Sequence, residues 1–319
     1  MVKPGIPETE DPRIAELRSL LILDSSPEER FDRITRIAKQ LFNVPIALIS
    51  LIDTDRQWFK SNIGLDATET GRDISFCGHA ILENDVFIVE DTIKDVRFRD
   101  NPLVTKGPNI RFYAGAPLIM PSGNKLGTLC IISSEAREFD SEQVGLLQDL
   151  SQIVINELVS RQVATQDVLT EIYNRRGFEM LAKKALANCA RYGWKSTLIY
   201  FDLNKFKQIN DTHGHQAGDQ ALVDFADLLS HIVRESDIIA RLGGDEFVVV
   251  LMNTEFADAQ AKVHCFIQKV EQFNILHDRP FELSASYGIV EYSAKQHKTL
   301  NELISAADAL MYQFKQQNS

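Results

Sequence analysis

Between Gly145 and Gly177 the chain contains no glycine or proline, and from Ser141 onward Val144, Leu147, Leu150, Val154 and Leu158, with Arg161, recur at steps of three or four. Only a long helix satisfies that spacing without a break. It divides 319 residues, more than one hydrophobic core usually organises, into two halves. The expected plan is a domain over residues 1–139, a helical linker over 140–166 and a second domain over 167–319. So narrow a stripe suits a two-helix seam, which makes the linker a candidate signalling coiled coil; packing onto its own domain is the other use for it.

Charge then narrows the possible functions. A net charge of -11 disfavours binding to duplex nucleic acid or to a membrane surface, which both demand a basic footprint. Any anionic ligand must be held by local groups or by metal ions. The longest apolar run, Val44 to Ile52, is far below the roughly 20 residues that cross a bilayer. The first residues, with Lys3, Glu8, Glu10 and Asp11, carry no hydrophobic signal core, so a cytoplasmic location is expected. Cys77, Cys130, Cys189 and Cys265 are scattered, and are expected to be four buried small apolar residues.

The first half reads as two amphipathic helices, around Leu17 to Leu21 and from Phe31 to Leu41, followed by β-type runs. Pro45 to Ile52 and Gln57 to Ile63 suggest a hairpin, and Val86 to Val89, Phe112 to Leu118 and Leu126 to Ile132 add strands. The second half alternates: strand Ser196 to Leu203, helix Gln216 to Val233, strands Ile238 to Leu242 and Phe247 to Leu251, helix Phe256 to Phe273, strand Leu283 to Val290, helix Leu300 to Phe314. The fold class implied is α+β, an antiparallel sheet with flanking helices followed by a second central sheet surrounded by helices.

Chemistry concentrates in the second half. Gly243-Gly244 between two apolar runs reads as the two central residues of a tight hairpin, which need positive φ. Asp245 and Glu246 are then displayed at a rigid tip. Asp202 ends the strand that precedes it, so three carboxylates from two elements are positioned to converge on hard divalent cations. Between the two acidic clusters, Asn204 to Asp219 is dense in lysine, asparagine, histidine and aspartate, side chains that can hold a nucleotide. Asp219, with Asn210, suits guanine: a carboxylate accepts both the ring N–H and the exocyclic amine, a donor pair that adenine lacks.

Arg241-Leu242-Gly243-Gly244-Asp245-Glu246-Phe247, Phe201 to Asp211, Gly214 to Asp219, Asp167-Val168-Leu169-Thr170, Tyr173 to Phe178 and Ser286-Tyr287-Gly288 together resemble the GGDEF diguanylate cyclase family. The resemblance implies that Asp202, the Leu203 carbonyl and Asp245 bind two Mg²⁺ or Mn²⁺ ions, and that Glu246 or Asp245 helps deprotonate a 3′-hydroxyl. It implies that Asn210, His215 and Asp219 hold guanosine, and that Phe206, Lys207 and Lys315 hold phosphates. Each domain would take one GTP, and two domains of a homodimer would meet to form cyclic di-GMP. Arg234 and Asp237 stand where the family places a product-inhibition site. Two departures are visible: Glu171-Ile172 replaces the usual Gly-Leu, and Gln316 to Ser319 replaces the usual Gly-Arg-Asn after Lys315, which puts one triphosphate contact in doubt.

The first half resembles a GAF domain through Ser75 to Ala80, Asp95 to Phe98, Asn101 to Val104, Arg111 to Leu118 and Gly127 to Cys130. Its ligand is not identified by these residues. Cys77 and His79 are too few for a metal site and read as core packing, with a pocket lined by Trp58, Phe112 and Tyr113 as the alternative. The expected function is a diguanylate cyclase regulated by its GAF domain and by its product. Its rivals are a catalytically weak domain that only senses nucleotide, and a purine cyclase forming an intramolecular cyclic monophosphate.

Overall fold

The computed structural model describes residues 1–234 and 236–317 of the chain, which folds as two compact units, Met1–Gln162 and Val163–Ser319. In the first, helices α1 (Glu10–Ser19) and α2 (Glu29–Leu41) precede strands β1 (Ile46–Ile52), β2 (Arg56–Ile63) and β3 (Glu69–Gly71). The short helix α3 (Phe76–Ala80), strand β4 (Phe87–Val89) and helix α4 (Pro102–Thr105) follow, then the hairpin β5 (Phe112–Ile119) and β6 (Lys125–Ser133), and helix α5 (Ser141–Thr165). The six strands form one antiparallel sheet in the order β3-β2-β1-β6-β5-β4.

β1 is buried along its whole length because it is central and covered on both faces. Ala47, Ile49 and Leu51 face the core shared with α2 and α5, while Ile46, Leu48 and Ile52 face a second core with α3. The same alternation corrects one expectation. Phe112 and Trp58 lie in the first core and Tyr113 in the second, so these three do not line one pocket. Neighbours along a strand point to opposite faces.

The stripe of α5 also ends up differently from a seam. Leu147, Leu150, Val154 and Leu158 are buried in the first core, and Arg161 donates to the Leu20 and Leu21 carbonyls at 2.7 and 2.5 Å. At about 1.5 to 3 kcal/mol per buried aliphatic side chain, the sheet of its own unit is a sufficient partner. Cys77, Cys130 and Cys189 are buried as expected, but Cys265 is exposed.

The second unit opens with strand β7 (Tyr173–Asn174), helix α6 (Arg175–Tyr192) and strand β8 (Ser196–Leu203). Helices α7 (Phe206–His213) and α8 (His215–Ser230), the hairpin β9 (Ile238–Gly243) and β10 (Glu246–Met252), helix α9 (Phe256–Leu276), strand β11 (Ala285–Glu291) and helix α10 (Leu300–Gln317) complete it. The sheet order is β11-β8-β10-β9-β7, antiparallel except for the pairing of β7 with β9. Ile199, Phe201 and Leu203 of β8 pack toward α8 and α9, and Leu198 and Tyr200 toward α6 and α10. α6 and α7 were not among the helices expected from the sequence; Asn174 caps α6 by accepting from the Gly177 amide at 3.0 Å. Of the C-terminal departure, Asn318 and Ser319 lie outside the described residues, as does Glu235.

Candidate active site

Strand register brings the backbone positions of the three acidic residues to one end of the sheet. Asp202 lies directly opposite Glu246 on β10, and Ser286 of β11 is its partner on the other side. Asp202 therefore occupies the central strand of three at one end of the sheet. The hairpin turn sits one residue later than Gly243-Gly244. Gly243 pairs with Glu246, which leaves Gly244 and Asp245 as the turn, and the ladder slips between Glu246 and Phe247. Gly244 takes a φ of 49°, the left-handed conformation that glycine adopts most readily. The slip puts Asp245 in the turn itself, where its carbonyl accepts from the Leu203 amide at 3.1 Å.

Burial pushes the Asp245 carboxyl above its ordinary value, and the charge of Asp202 pushes it further. Two carboxylates forced together in this way are what a hard cation relieves. Lys315 of α10, for which the resemblance implies a phosphate contact, places Nζ 2.5 Å from Asp202 Oδ1. Among the described residues no three histidine, cysteine, aspartate or glutamate side chains converge as a ready metal cage. The donor set fits a divalent ion that takes its remaining oxygens from substrate phosphate and water.

Sequence reasoning missed Tyr200. Two residues before Asp202 on the same face, its hydroxyl is raised well above its ordinary value by burial and by its hydrogen bond to Glu246. The signal was the strand period of two that separates Tyr200 from Asp202.

The guanidinium of Arg241 braces the turn, donating from Nε to the Gly244 carbonyl at 2.9 Å and from Nη1 to Asp167 Oδ1 at 3.0 Å. Asp167 Oδ1 also accepts from the Thr170 amide and hydroxyl. Arg175 Nε reaches the Leu242 carbonyl at 3.2 Å. The motif at the start of the unit is thus tied to the hairpin that carries the acids.

Beyond β8 the backbone turns at Lys205 (φ 58°) into α7, which carries Phe206, Lys207 and Asn210. Gly214 turns it again into α8, whose first residue is His215 and whose second turn carries Asp219. A Cβ at Gly218 would collide with Asn210 Oδ1, so the missing side chain is what seats Asn210 beside Asp219's turn of α8. Lys207, His215 and Asp219 are exposed, and Phe206 packs partly against the core beneath.

Asp237 is committed to the fold. Its carboxylate, 1% exposed, accepts from the Arg234 and Met252 amides at 2.9 Å each, with Lys262 Nζ at 3.6 Å. Arg234 is the exposed member of that pair.

The family model "Diguanylate cyclase, GGDEF domain" matches residues 164–319, and the GAF domain model matches residues 26–158. Diguanylate cyclase DgcP of Escherichia coli is 31% identical over 260 residues, covering 76% of this chain and 74% of that protein. Cyclic di-GMP phosphodiesterase PA2567 of Pseudomonas aeruginosa is 44% identical over 177 residues, covering 55% of this chain but 30% of that protein. The chain therefore spans under a third of one curated relative and about three quarters of the other. The GGDEF domain of DgcB from Caulobacter crescentus, solved in complex with c-di-GMP, aligns at 26% identity and a TM-score of 0.45, over 49% of this chain and 89% of that one. With both halves matched in order, and a diguanylate cyclase related along most of its own length, this chain belongs to the GGDEF diguanylate cyclase family and carries a GAF domain ahead of its GGDEF domain.

Proposed function

We propose that this chain condenses two GTP molecules into cyclic di-GMP and two pyrophosphates, as a metal-dependent homodimer regulated by its GAF domain. The observation that carries this reading is the pairing of Asp202 with the Glu246 end of β10, beside an Asp245 carboxyl raised by burial and by Asp202. Asp202, the Leu203 carbonyl and Asp245 would hold Mg²⁺ or Mn²⁺, and two such ions would supply neutralisation of the charge growing at the α-phosphate and alignment of the attacking hydroxyl.

The chain's own residues do the rest. Asn210, His215 and Asp219 orient guanosine, with Asp219 accepting the two donors that distinguish guanine. Phe206 and Lys207 flank the phosphates, and Lys315 exchanges Asp202 for triphosphate oxygens as substrate enters. Glu246, with Asp245, takes the proton of the 3′-hydroxyl. One domain holds one GTP, so two copies of the chain must face each other. Arg234 binds cyclic di-GMP as a feedback inhibitor, with Asp237 fixing the backbone that carries it. The linker helix couples the state of the GAF domain, whose ligand is open, to that meeting. The acidic surface argues against duplex nucleic acid and membrane as partners, and a cytoplasmic site of action is consistent with the substrate. No helix among the described residues is long and apolar enough to cross a membrane.

Incubation with GTP and Mg²⁺, with the product identified by mass, tests the reading. Cyclic di-GMP is expected. Bound GTP without turnover would instead identify a domain that only senses nucleotide, and cyclic GMP would identify a purine cyclase.

A further inference from the structure

The second core of the N-terminal unit holds a polar cluster that packing alone does not require. Cys77 on α3 and Cys130 on β6 lie with their sulfurs 3.7 Å apart, and the Tyr113 hydroxyl donates to Cys77 Sγ at 3.2 Å. All three residues are 0 to 1% exposed. Gly115 pairs with Cys130 across β5 and β6, and a Cβ there would strike the Tyr113 ring and hydroxyl; its absence lets the phenol lie over the strand. Ser50 and Thr128, paired across β1 and β6, are fully buried, and neither hydroxyl has a full hydrogen-bond partner. A buried orphan hydroxyl costs about 1 to 3 kcal/mol, so two beside a thiol pair call for an account.

From this geometry we infer that Cys77 and Cys130 are a reversible oxidation site, in which a small peroxide converts the thiol pair to a disulfide. Burial alone would raise the Cys77 thiol. The polar groups gathered around it, the Cys130 sulfur first and the Tyr113 hydroxyl among them, outweigh that and hold Cys77 below the ordinary thiol value, while Cys130 is pushed up. Cys77 is accordingly the nucleophile and Cys130 the resolving thiol. A cavity of about 20 Å³ adjoins Cys77, lined also by Gln57, Thr70 and Tyr113, and Thr70 Oγ1 is a further buried hydroxyl without a partner. So small a volume excludes bulky oxidants and leaves hydrogen peroxide, little larger than water, as the candidate.

The steps balance. The Cys77 sulfur attacks one peroxide oxygen, the O–O bond breaks, and the departing hydroxide takes the Cys77 proton as water. Cys77 is left as a sulfenic acid. The Cys130 sulfur then displaces hydroxide from it, the S–S bond forms as the S–O bond breaks, and the Cys130 proton leaves in a second water. Two thiols have lost two electrons to one peroxide. Closing the sulfurs to the ~2.05 Å of a disulfide draws five-residue α3 toward the central strand β6, a shift of under about 2 Å.

The test uses the full chain with exposed Cys265 replaced, Cys265→Ser. After brief hydrogen peroxide treatment and a catalase quench, the protein is denatured, alkylated and digested. A peptide linking Cys77 to Cys130, with the loss of two alkylation adducts per chain and the return of both after dithiothreitol, is expected. In Cys130→Ala on that background, Cys77 should instead gain a dimedone adduct, the mark of a trapped sulfenic acid. Full alkylation of Cys77 and Cys130 at peroxide levels that oxidise Cys265 in the unsubstituted chain would overturn the inference. So would a folded Cys130→Ala chain, judged by near-UV circular dichroism, that takes no dimedone. Should that variant not fold, the linked peptide in the parent chain decides alone.

Discussion

Arg241 and Asp167, far apart in sequence, form a 3.0 Å ion pair whose guanidinium also holds the Gly244 carbonyl at 2.9 Å. The pair fixes the backbone of the turn that presents Asp245. Arg241→Ala should leave the fold intact by circular dichroism and lower kcat by on the order of 10²-fold, the usual cost of a reacting group misplaced by an ångström. Unchanged kcat in a folded variant would show that the turn holds its shape without the brace.

Gly218→Ala should move Asn210, because the new methyl would lie 2.0 Å from Asn210 Oδ1. Loss of one or two base contacts at about 1 to 3 kcal/mol each raises KM for GTP by roughly 10- to 100-fold while far-UV signal is retained. Asp219→Ser, on the adjacent position, should erode the preference for GTP over ATP by on the order of 10²-fold. Competition kinetics with the two nucleotides measures both.

In Asp245 the fold disfavours the charged carboxylate, since burial and Asp202 both raise its carboxyl. Removing the charge removes that cost, so Asp245→Asn in divalent-free buffer should melt at or above the wild-type temperature. Adding Mg²⁺ should stabilise wild type and leave the variant unmoved, and turnover by the variant should vanish. Equal Mg²⁺ shifts in the two proteins would place the ions elsewhere.

Arg234 and Asp237 should separate on substitution. Arg234→Ala is expected to keep catalysis and lose inhibition in initial rates taken at rising cyclic di-GMP. Asp237→Asn should instead lower stability by about 1 to 3 kcal/mol, because its buried carboxylate ties the turn ahead of β9, at the Arg234 amide, to the Met252 amide at the end of β10. If Arg234→Ala is inhibited as strongly as wild type, product binds without it.

The N-terminal unit has its own acid-sensitive pair. Burial would raise Glu10, but hydrogen bonds and charge from Arg13 and Arg72 bring it down to about 2. A depressed carboxyl contributes stability that is complete above the ordinary value near 4.3 and is lost as pH falls toward about 2. Urea midpoints across that window should fall for wild type and fall less for Glu10→Gln, which starts about 1 to 3 kcal/mol less stable at neutral pH. Parallel pH profiles would dissociate Glu10 from acid unfolding.

The sequence made the acidic site legible because carboxylates interrupt apolar strands there, and burial leaves few reasons for a charge at such a place. Asp202, Asp245 and Glu246 stood out on that ground. The displaced turn was not legible, since it depends on a slip in the pairing of β9 with β10 that neither strand encodes alone. Lys315 reached Asp202 across a sequence separation no periodicity spans. The tie of Asp237 to the Arg234 and Met252 amides was not legible, because backbone amide partners carry no side-chain signature. On α5, a stripe of Leu147, Leu150, Val154 and Leu158 reads alike whether it meets a second helix or a sheet; what lay beneath it decided.

Gly288 sits on β11, where a Cβ would run into the Ala307 carbonyl and the Met311 amide of α10. Helix and strand touch there backbone to backbone. Lys315 follows Met311 by four residues, about 6 Å further along the helix axis. Its reach to Asp202 is therefore set by how low the whole helix rides on the sheet, and one methyl at position 288 would act as a shim, lifting the ammonium off the acid without altering any residue of the site.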